Sequence, residues 1–421
     1  MGLPSLTDTV GNMPVVKDVD ARISPLLSDL GADLRTWRRH VHQHPELSFD
    51  EHRTAEYIES VLASFGVKTE RPTATSVVAT LQGRDPGRTV ALRADIDALP
   101  IQEETGLAFA SAVPGVMHAC GHDGHVAALL GVAKVLAAVS GELSGSYRLV
   151  FQHAEEQTPK GAPELITAGA LDGVDVIIGQ HLVPTERTGT VCVNRGALLA
   201  SADAFSITFT GRGGHGGLPH ESADPIPATA DFVHAVHRLA AREFAPQDPV
   251  VVSVTQVHAG EAYNIIPSAA VVGGTIRALS SSVRTRLATR VTELAQGIAA
   301  LHGLTVDVRH EFGPPPVVNT PEVADQVAEV ARKIAGVRQV TDIEPVMGGD
   351  DYAYYLERVP GVYVLIGANP TDEASAPYPP HHPRFDFAEA ALPIATEVLL
   401  RSALALAQAD SREPLLTPSS S

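Results

Sequence analysis

The periodicity of the chain changes near Gly196, and that change limits the architectures open to it. Upstream, helical patterns over Asp20–His42 and Glu51–Phe65 give way to short β-branched runs at Ser76–Leu81 and Thr89–Arg93. A strongly apolar helix at Val126–Val139, a strand at Tyr147–His153, a short helix near Pro163–Ala168 and a strand at Val174–His181 follow. Strands alternating with helices predict a mixed, mostly parallel α/β sheet flanked by helices. Past Gly196, Ala204–Thr210 alternates with period two and puts Phe205, Ile207 and Phe209 on one face. A Gly-rich stretch (Gly211–Gly217) leads to a helix at Ala228–Arg242, strands at Val250–Val257 and Ala269–Arg277, a helix at Ser282–Leu301 and a strand at Leu304–His310. The order β-α-β-β-α-β is that of a ferredoxin-like split βαβ unit. After Gly313 and three prolines the α/β texture resumes, with a strand at Val362–Leu365 and a core-covering helix at Ala388–Ala409. The expected organisation is an α/β domain (residues 1–198 and 312–421) interrupted by an inserted α+β lid domain (residues 199–311).

Composition narrows the classes of function. A chain of 421 residues implies two or three domains at roughly 150 residues each, and buries a core without disulfide staples. Acidic residues outnumber basic ones by 49 to 31, and the net charge of −18 argues against a nucleic-acid or anionic-membrane partner. Two cysteines build no disulfide framework, so a reducing compartment is expected. The first twenty residues carry no secretory pattern, and Leu6 stands where a myristoylation motif has Ser or Thr. The Val126–Val139 helix, broken by Lys134, is too short to span a bilayer. The expected address is cytoplasmic, and the Pro/Ser-rich tail from Ser411 is expected to fray. The unusual count is 18 histidines.

Several of those histidines stand beside other metal-ligating groups. Cys120 and His122 are two apart, and in an extended segment their side chains share a face. Thiolate with imidazole suits Zn, Co, Ni or Mn rather than Ca or Mg. Glu155 and Glu156 follow a strongly apolar strand, where functional groups of parallel sheets gather. Adjacent residues there point in different directions, so one carboxylate can bind metal while its neighbour faces the reacting water. His181 ends a second apolar strand, and His381 lies in Pro379-Pro380-His381-His382-Pro383. One Cys, three His and one Glu suffice for a shared two-metal site. His215, on the Gly-rich loop of the insertion, can swing over a site in the other domain. His42 and His44 end the first helix, where a structural role is expected.

The chain resembles the dimetal aminoacylase, hippurate hydrolase and auxin-conjugate amidohydrolase family of metallopeptidases from about Arg35 to about Ala390. The stretches that carry the resemblance are His42–Glu51, Leu92–Glu103, Met117–His125, His153–Glu156, Gly179–Pro184, Gly211–His220, Asp224–Ala228, Asn264–Pro267, Gly273–Arg277 and His381–Phe387. The resemblance implies two divalent ions (Zn, Mn, Co or Ni) on Cys120, His122, Glu156, His181 and His381, the second site often the weaker. It implies Glu155 as general base and Asp95 as a carboxylate behind the ligands that orients a ligating histidine. It implies His215 as a lid histidine donating to the oxyanion, and Asn264 and Arg277, on adjacent strands of the lid, as the grip on a substrate carboxylate. Two positions depart from the pattern: His153 replaces a usual Pro, and Asp350 a usual Glu.

The implied activity is hydrolysis of the amide bond of a small N-acyl amino acid. An N-carbamoyl amino acid hydrolase or a dipeptidase uses the same groups, and a non-catalytic binding protein on the same fold is the alternative of another class. The resemblance also allows a homo-oligomer joined through the lid domain, in which His215 serves a neighbour's site.

Overall fold

The computed structural model describes residues 14–371 and 378–408. The tail from Ser411 and most of the N-terminal stretch read for targeting signals lie outside them. An eight-stranded sheet forms the centre, in the spatial order Thr69–Glu70, Val77–Gln82, Ser144–Gln152, Asp85–Asp95, Val176–Val183, Gly361–Gly367, Thr190–Cys192 and Gln339–Thr341. Asp85–Asp95 pairs in parallel with both neighbours, and Val176–Val183 pairs in parallel with Gly361–Gly367. Antiparallel pairs flank this parallel middle. Val90, Ala91, Leu92 and Ala94 are all buried, as expected of a strand covered on both faces.

One face is covered by helices Gly31–Gln43, His122–Val139, Pro321–Ala331 and Ala391–Gln408. His122–Val139 is buried nearly all round, because neighbouring helices and the sheet enclose it. A Cβ on Gly131 would stand 2.8 Å from Leu34 Cδ2 and 2.9 Å from Thr396 Cγ2, so glycine sets how closely three helices cross there. On the opposite face, Ile177 and Tyr363 of the sheet pack with Tyr352, Tyr355 and Ala162, carried by or beside the short helices Ala353–Leu356 and Gly161–Thr167.

The insertion forms its own antiparallel sheet, in the order Val250–Ala259, Ala269–Ala278, Asp203–Thr210 and Thr305–Glu311. Helices Pro225–Glu243 and Ser281–Leu301 pack on it. The order and the two helices are those of a ferredoxin-like unit. Phe205, Ile207 and Phe209 join Phe232, Val236 and Leu287 in a separate apolar core. The outgoing and returning connections run side by side: Ala202 N donates to Pro314 O (3.1 Å) and Gly313 N to Asp203 Oδ1 (3.0 Å). Arg284 closes this junction with two bonds to the buried Asp203 carboxylate, 2.8 and 2.6 Å.

Several details differ from the sequence reading. Asp20–His42 is two helices, Pro14–Asp29 and Gly31–Gln43, because Leu30 N turns back to Leu27 O in a tighter i−3 bond. The apolar helix starts at His122, and with a 3₁₀ turn reaches Glu142. Those 21 residues are long and apolar enough to cross a bilayer, contrary to expectation, but 72% of the most apolar window is buried inside the fold. Ala391–Gln408 meets the same criterion and is buried to the same degree. In both helices the apolar surface faces the protein's own core.

Candidate metal centre

Four segments deliver donor groups to the ends of the central strands. Cys120 and His122 flank Gly121, which has φ of 92° and immediately precedes the helix that begins at His122. The segment is therefore not extended, as the two-residue spacing suggested; a left-handed glycine step before the helix turns both side chains to one place. At Gly124, in the first turn, a Cβ would lie 2.5 Å from both Leu182 and Phe387, so the helix start seats directly on the sheet.

The second segment follows strand Ser144–Gln152. Ala154 takes φ of 49°, and its N–H donates to the buried Glu51 carboxylate (2.8 Å). Glu155 and Glu156 come next. The third segment is strand Val176–Val183, where His181 Nδ1 faces Leu182 O (2.9 Å) and leaves Nε2 3.4 Å from Cys120 Sγ. His381 arrives from a distant loop, with φ of 67° and its N–H on Ala119 O (2.8 Å). Its Nε2 lies 3.3 Å from Glu156 Oε1.

These donors form overlapping trios, each with ligand atoms within 4.8 Å of one another: Cys120/His122/His181, Cys120/Glu156/His381 and His122/Glu155/Glu156. Soft and hard donors thus converge on one place. Glu156 Oε1 is buried there without a hydrogen bond, an orphan that a cation would satisfy. Burial pushes the His181 pKa down to about 4, which keeps its imidazole neutral as a ligand must be. Burial, with Glu156 next, pushes the Cys120 thiol well up. The donor set fits a pair of divalent cations.

The supporting carboxylates are arranged differently from expectation. Asp95 Oδ1 bonds His125 Nδ1 (2.6 Å), while its Oδ2 is 3.7 Å from His122 Nε2. The other nitrogen of His125 accepts from Leu182 N (2.9 Å), so His125 has no free site for an ion. Asp97 orients His122: its carbonyl and Oδ1 face Nδ1 at 3.0 and 3.2 Å. Asp97 Oδ2 also accepts from Glu156 N (2.9 Å) and Ser48 Oγ (2.6 Å), so one buried carboxylate holds two donor segments in register. Sequence reasoning passed over Asp97, although it stands two residues beyond Asp95. Arg93, also passed over, is fully buried and bonds Asp95 (2.5 Å), Asp351 (2.8 Å) and Gln152 (2.8 Å).

Glu155 is buried beside Lys160, Asp350 and Asp351. Burial, and then the charge of Asp350, hold its pKa well above the ordinary carboxylate range, with Lys160 opposing. Asp350 accepts from Tyr363 Oη (2.6 Å) and Tyr352 N (2.8 Å), so it is anchored to the sheet. His153 bonds Glu164 (3.0 Å) and faces Thr73 Oγ1 (3.4 Å), which ties the strand end to helix Gly161–Thr167.

His215, on the inserted unit, belongs to none of these trios. His215 is exposed, and its Nδ1 accepts from Gly217 N (3.0 Å). Asn264 lies in a turn and not on a strand of the four-stranded sheet. The chain folds back after Gly260, and Ile265–Ile266 pairs instead with Gly214–His215. Gly216 N donates to Asn264 O (2.8 Å), so His215 and Asn264 are neighbours on one small ribbon. Arg277 lies on Ala269–Ala278, opposite Val251.

Fold and site together define a metal-dependent hydrolase. The chain belongs to peptidase family M20/M25/M40, whose model matches residues 91–405. It is 44% identical over 301 residues to the N-acyl-L-amino acid amidohydrolase of Geobacillus stearothermophilus, spanning 71% of this chain and 81% of that protein. It is 40% identical over 379 residues to the N-acetyl-L-cysteine deacetylase of Bacillus subtilis (strain 168), spanning 90% and 89%. Its fold is similar to that of the Bacillus subtilis YXEP protein, described as a dinuclear metal binding peptidase from the M20 family: TM-score 0.80, 36% identity, 90% of this chain and 99% of the other.

Proposed function

We propose that this chain cleaves the amide bond of N-acyl amino acids and releases a carboxylic acid and a free amino acid. The observation that carries this is Glu155, a buried carboxylate with a raised pKa, within 4.8 Å of the donors of His122 and Glu156. Cys120, His122, Glu156, His181 and His381 hold two divalent ions, drawn from Zn, Mn, Co and Ni. When bound, such ions acidify water and polarise a carbonyl. Glu155 takes the proton of the attacking water and returns it to the departing amine nitrogen; a base active near neutral pH needs the elevated pKa that burial gives it. Asp97 keeps the His122 imidazole in fixed orientation, and Asp95 does the same for His125 behind it.

Residues 199–311 act as a lid. His215 and Asn264 share a ribbon and move together, His215 to donate to the oxyanion and Asn264 to assist Arg277 with the substrate carboxylate. Leu218, Val257, Tyr263 and Ile265 are exposed in the same part of the insertion, a face suited to a second copy of this chain. Cys120 must stay reduced to bind metal, which fits the cytoplasm.

Glu155→Gln tests the reading. Turnover should fall by at least about a hundredfold, while elemental analysis finds the same metal content. Retained activity would remove Glu155 as the base. Parallel assays on N-acetyl, N-benzoyl and N-carbamoyl amino acids and on dipeptides identify the acyl group; turnover of dipeptides alone would replace the N-acyl assignment.

A further inference from the structure

Lys160 is a half-buried cation that the reaction scheme does not use. Its ammonium bonds both the main-chain carbonyl and the carboxylate of Glu155, with Nζ 3.2 Å from Oε1. Among the described residues the one further donor to that carboxylate, Asp351 N, also falls on Oε1 (3.4 Å). Among the described residues no hydrogen bond goes to the other oxygen. The carboxylate is thus gripped on one side only.

The lysine itself is fixed. It is the last residue before helix Gly161–Thr167. Gly161 N closes the loop on Ala154 O (2.8 Å), and a Cβ on Gly161 would strike His153 O at 1.9 Å, so the two ends of the loop are in contact. Ala162 N is bonded to Asp351 Oδ2 (3.0 Å). The Lys160 side chain is only 16% exposed.

The grip has an electrostatic reason. Glu155, Asp350 and Asp351 are three buried carboxylates with oxygens within 4.8 Å of one another. Arg93 serves Asp95 and Asp351, and lies 3.5 Å from Asp350. Among the described residues, Lys160 is the cation that reaches Glu155. Without it, Glu155 faces like charges and has no partner that holds one rotamer.

We propose that Lys160 is a positioning residue for Glu155: by holding Oε1 it presents the other carboxylate oxygen as the proton acceptor. This rests on the reading of Glu155 as the base. The test is steady-state kinetics on the metal-loaded full chain for Lys160→Met, Lys160→Arg, Glu155→Gln and the Lys160→Met/Glu155→Gln double variant. Misplacing a reacting group by about 1 Å costs on the order of a hundredfold, so Lys160→Met should lose that much kcat, with KM changed by less than about threefold. Metal content should stay at the wild-type value, although the melting temperature falls because a buried carboxylate loses its counter-charge. Lys160→Arg, which keeps charge and donors, should regain about tenfold of the loss. The double variant should be no slower than Glu155→Gln alone, because a residue acting through Glu155 has nothing left to position. Wild-type kcat in Lys160→Met beside an inactive Glu155→Gln overturns the role of Lys160 and leaves the base assignment standing. An additive double variant, or an Arg variant no better than Met, makes the lysine merely structural and overturns it as well. An active Glu155→Gln overturns the reading beneath. Should Lys160→Met fail to fold, Lys160→Gln takes its place in the same comparison, with the same outcomes deciding.

Discussion

His42 offers a pH-dependent test of the packing behind the metal centre. Its Nδ1 lies 3.0 Å from Asp123 Oδ2 and its Nε2 3.3 Å from Glu103 Oε1, and the side chain is buried. Both ring nitrogens can donate only if the ring is an imidazolium. Burial opposes that charge and Arg38 adds repulsion, but the bonds to Asp123 and Glu103 prevail and push the pKa from the ordinary 6.5 up to about 9. At about 1.36 kcal/mol per pKa unit, the protonated ring contributes roughly 3 kcal/mol to stability, as an upper figure. The folded pKa exceeds the unfolded one. The contribution is therefore complete below about pH 6.5 and disappears as pH rises through about 9. His42→Gln, compared with wild type by urea unfolding at a series of pH values, should show a gap of roughly 3 kcal/mol at pH 6 that closes by pH 10. A gap of constant size across that range would refute the imidazolium and leave His42 as an ordinary packed ring.

Two further outcomes follow from the same geometry. Asp97→Ala frees the His122 ring and leaves Glu156 N without its partner, so metal affinity, measured by competition with a chelator, should fall by about 10- to 100-fold; unchanged affinity would contradict the orienting role. Gly131→Ala puts a methyl group under 3 Å from Leu34 and Thr396, and overpacking of this kind costs about 1–3 kcal/mol; a melting temperature equal to wild type would show that the helix crossing is looser than these distances imply.

The fold was legible wherever a period was long enough to read. Asp203–Thr210 shows it: Phe205, Ile207 and Phe209 are buried, while Ala204, Ser206 and Thr210 are exposed. The three-residue strand Gln339–Thr341 is too short and too polar to carry a period. Asn264 is expected on a strand adjacent to that of Arg277, thirteen residues on, and no local pattern shows that Ile265–Ile266 pairs with Gly214–His215 instead. In the site, the residues chosen for their chemistry do converge: Cys120, His122, Glu155, Glu156, His181 and His381 all belong to overlapping trios. The residues that hold them were harder to read. Lys160 and Glu51 look like ordinary surface charges in the sequence. They reach the Ala154–Glu155 turn only because one loop closes on Gly161 and another, about a hundred positions upstream, packs beneath it.

The three left-handed residues of the site explain why it needs this support. In a regular strand, successive side chains point to opposite faces, so Glu155 and Glu156 would be separated by the sheet. The structure instead places both carboxylates within 4.8 Å of the His122 donor. The step that permits this is Ala154, with φ of 49°. Gly121 and His381, at 92° and 67°, redirect two other donor-bearing loops in the same way. Only Gly121 takes this conformation without steric cost; for Ala154 and His381 it costs roughly 1–2 kcal/mol each. Both non-glycine positions are pinned through their own N–H, Ala154 by Glu51 and His381 by the carbonyl of Ala119. Glu51 thus compensates the backbone strain that directs Glu155 and Glu156 to one side, and Lys160 then holds one oxygen of the Glu155 carboxylate.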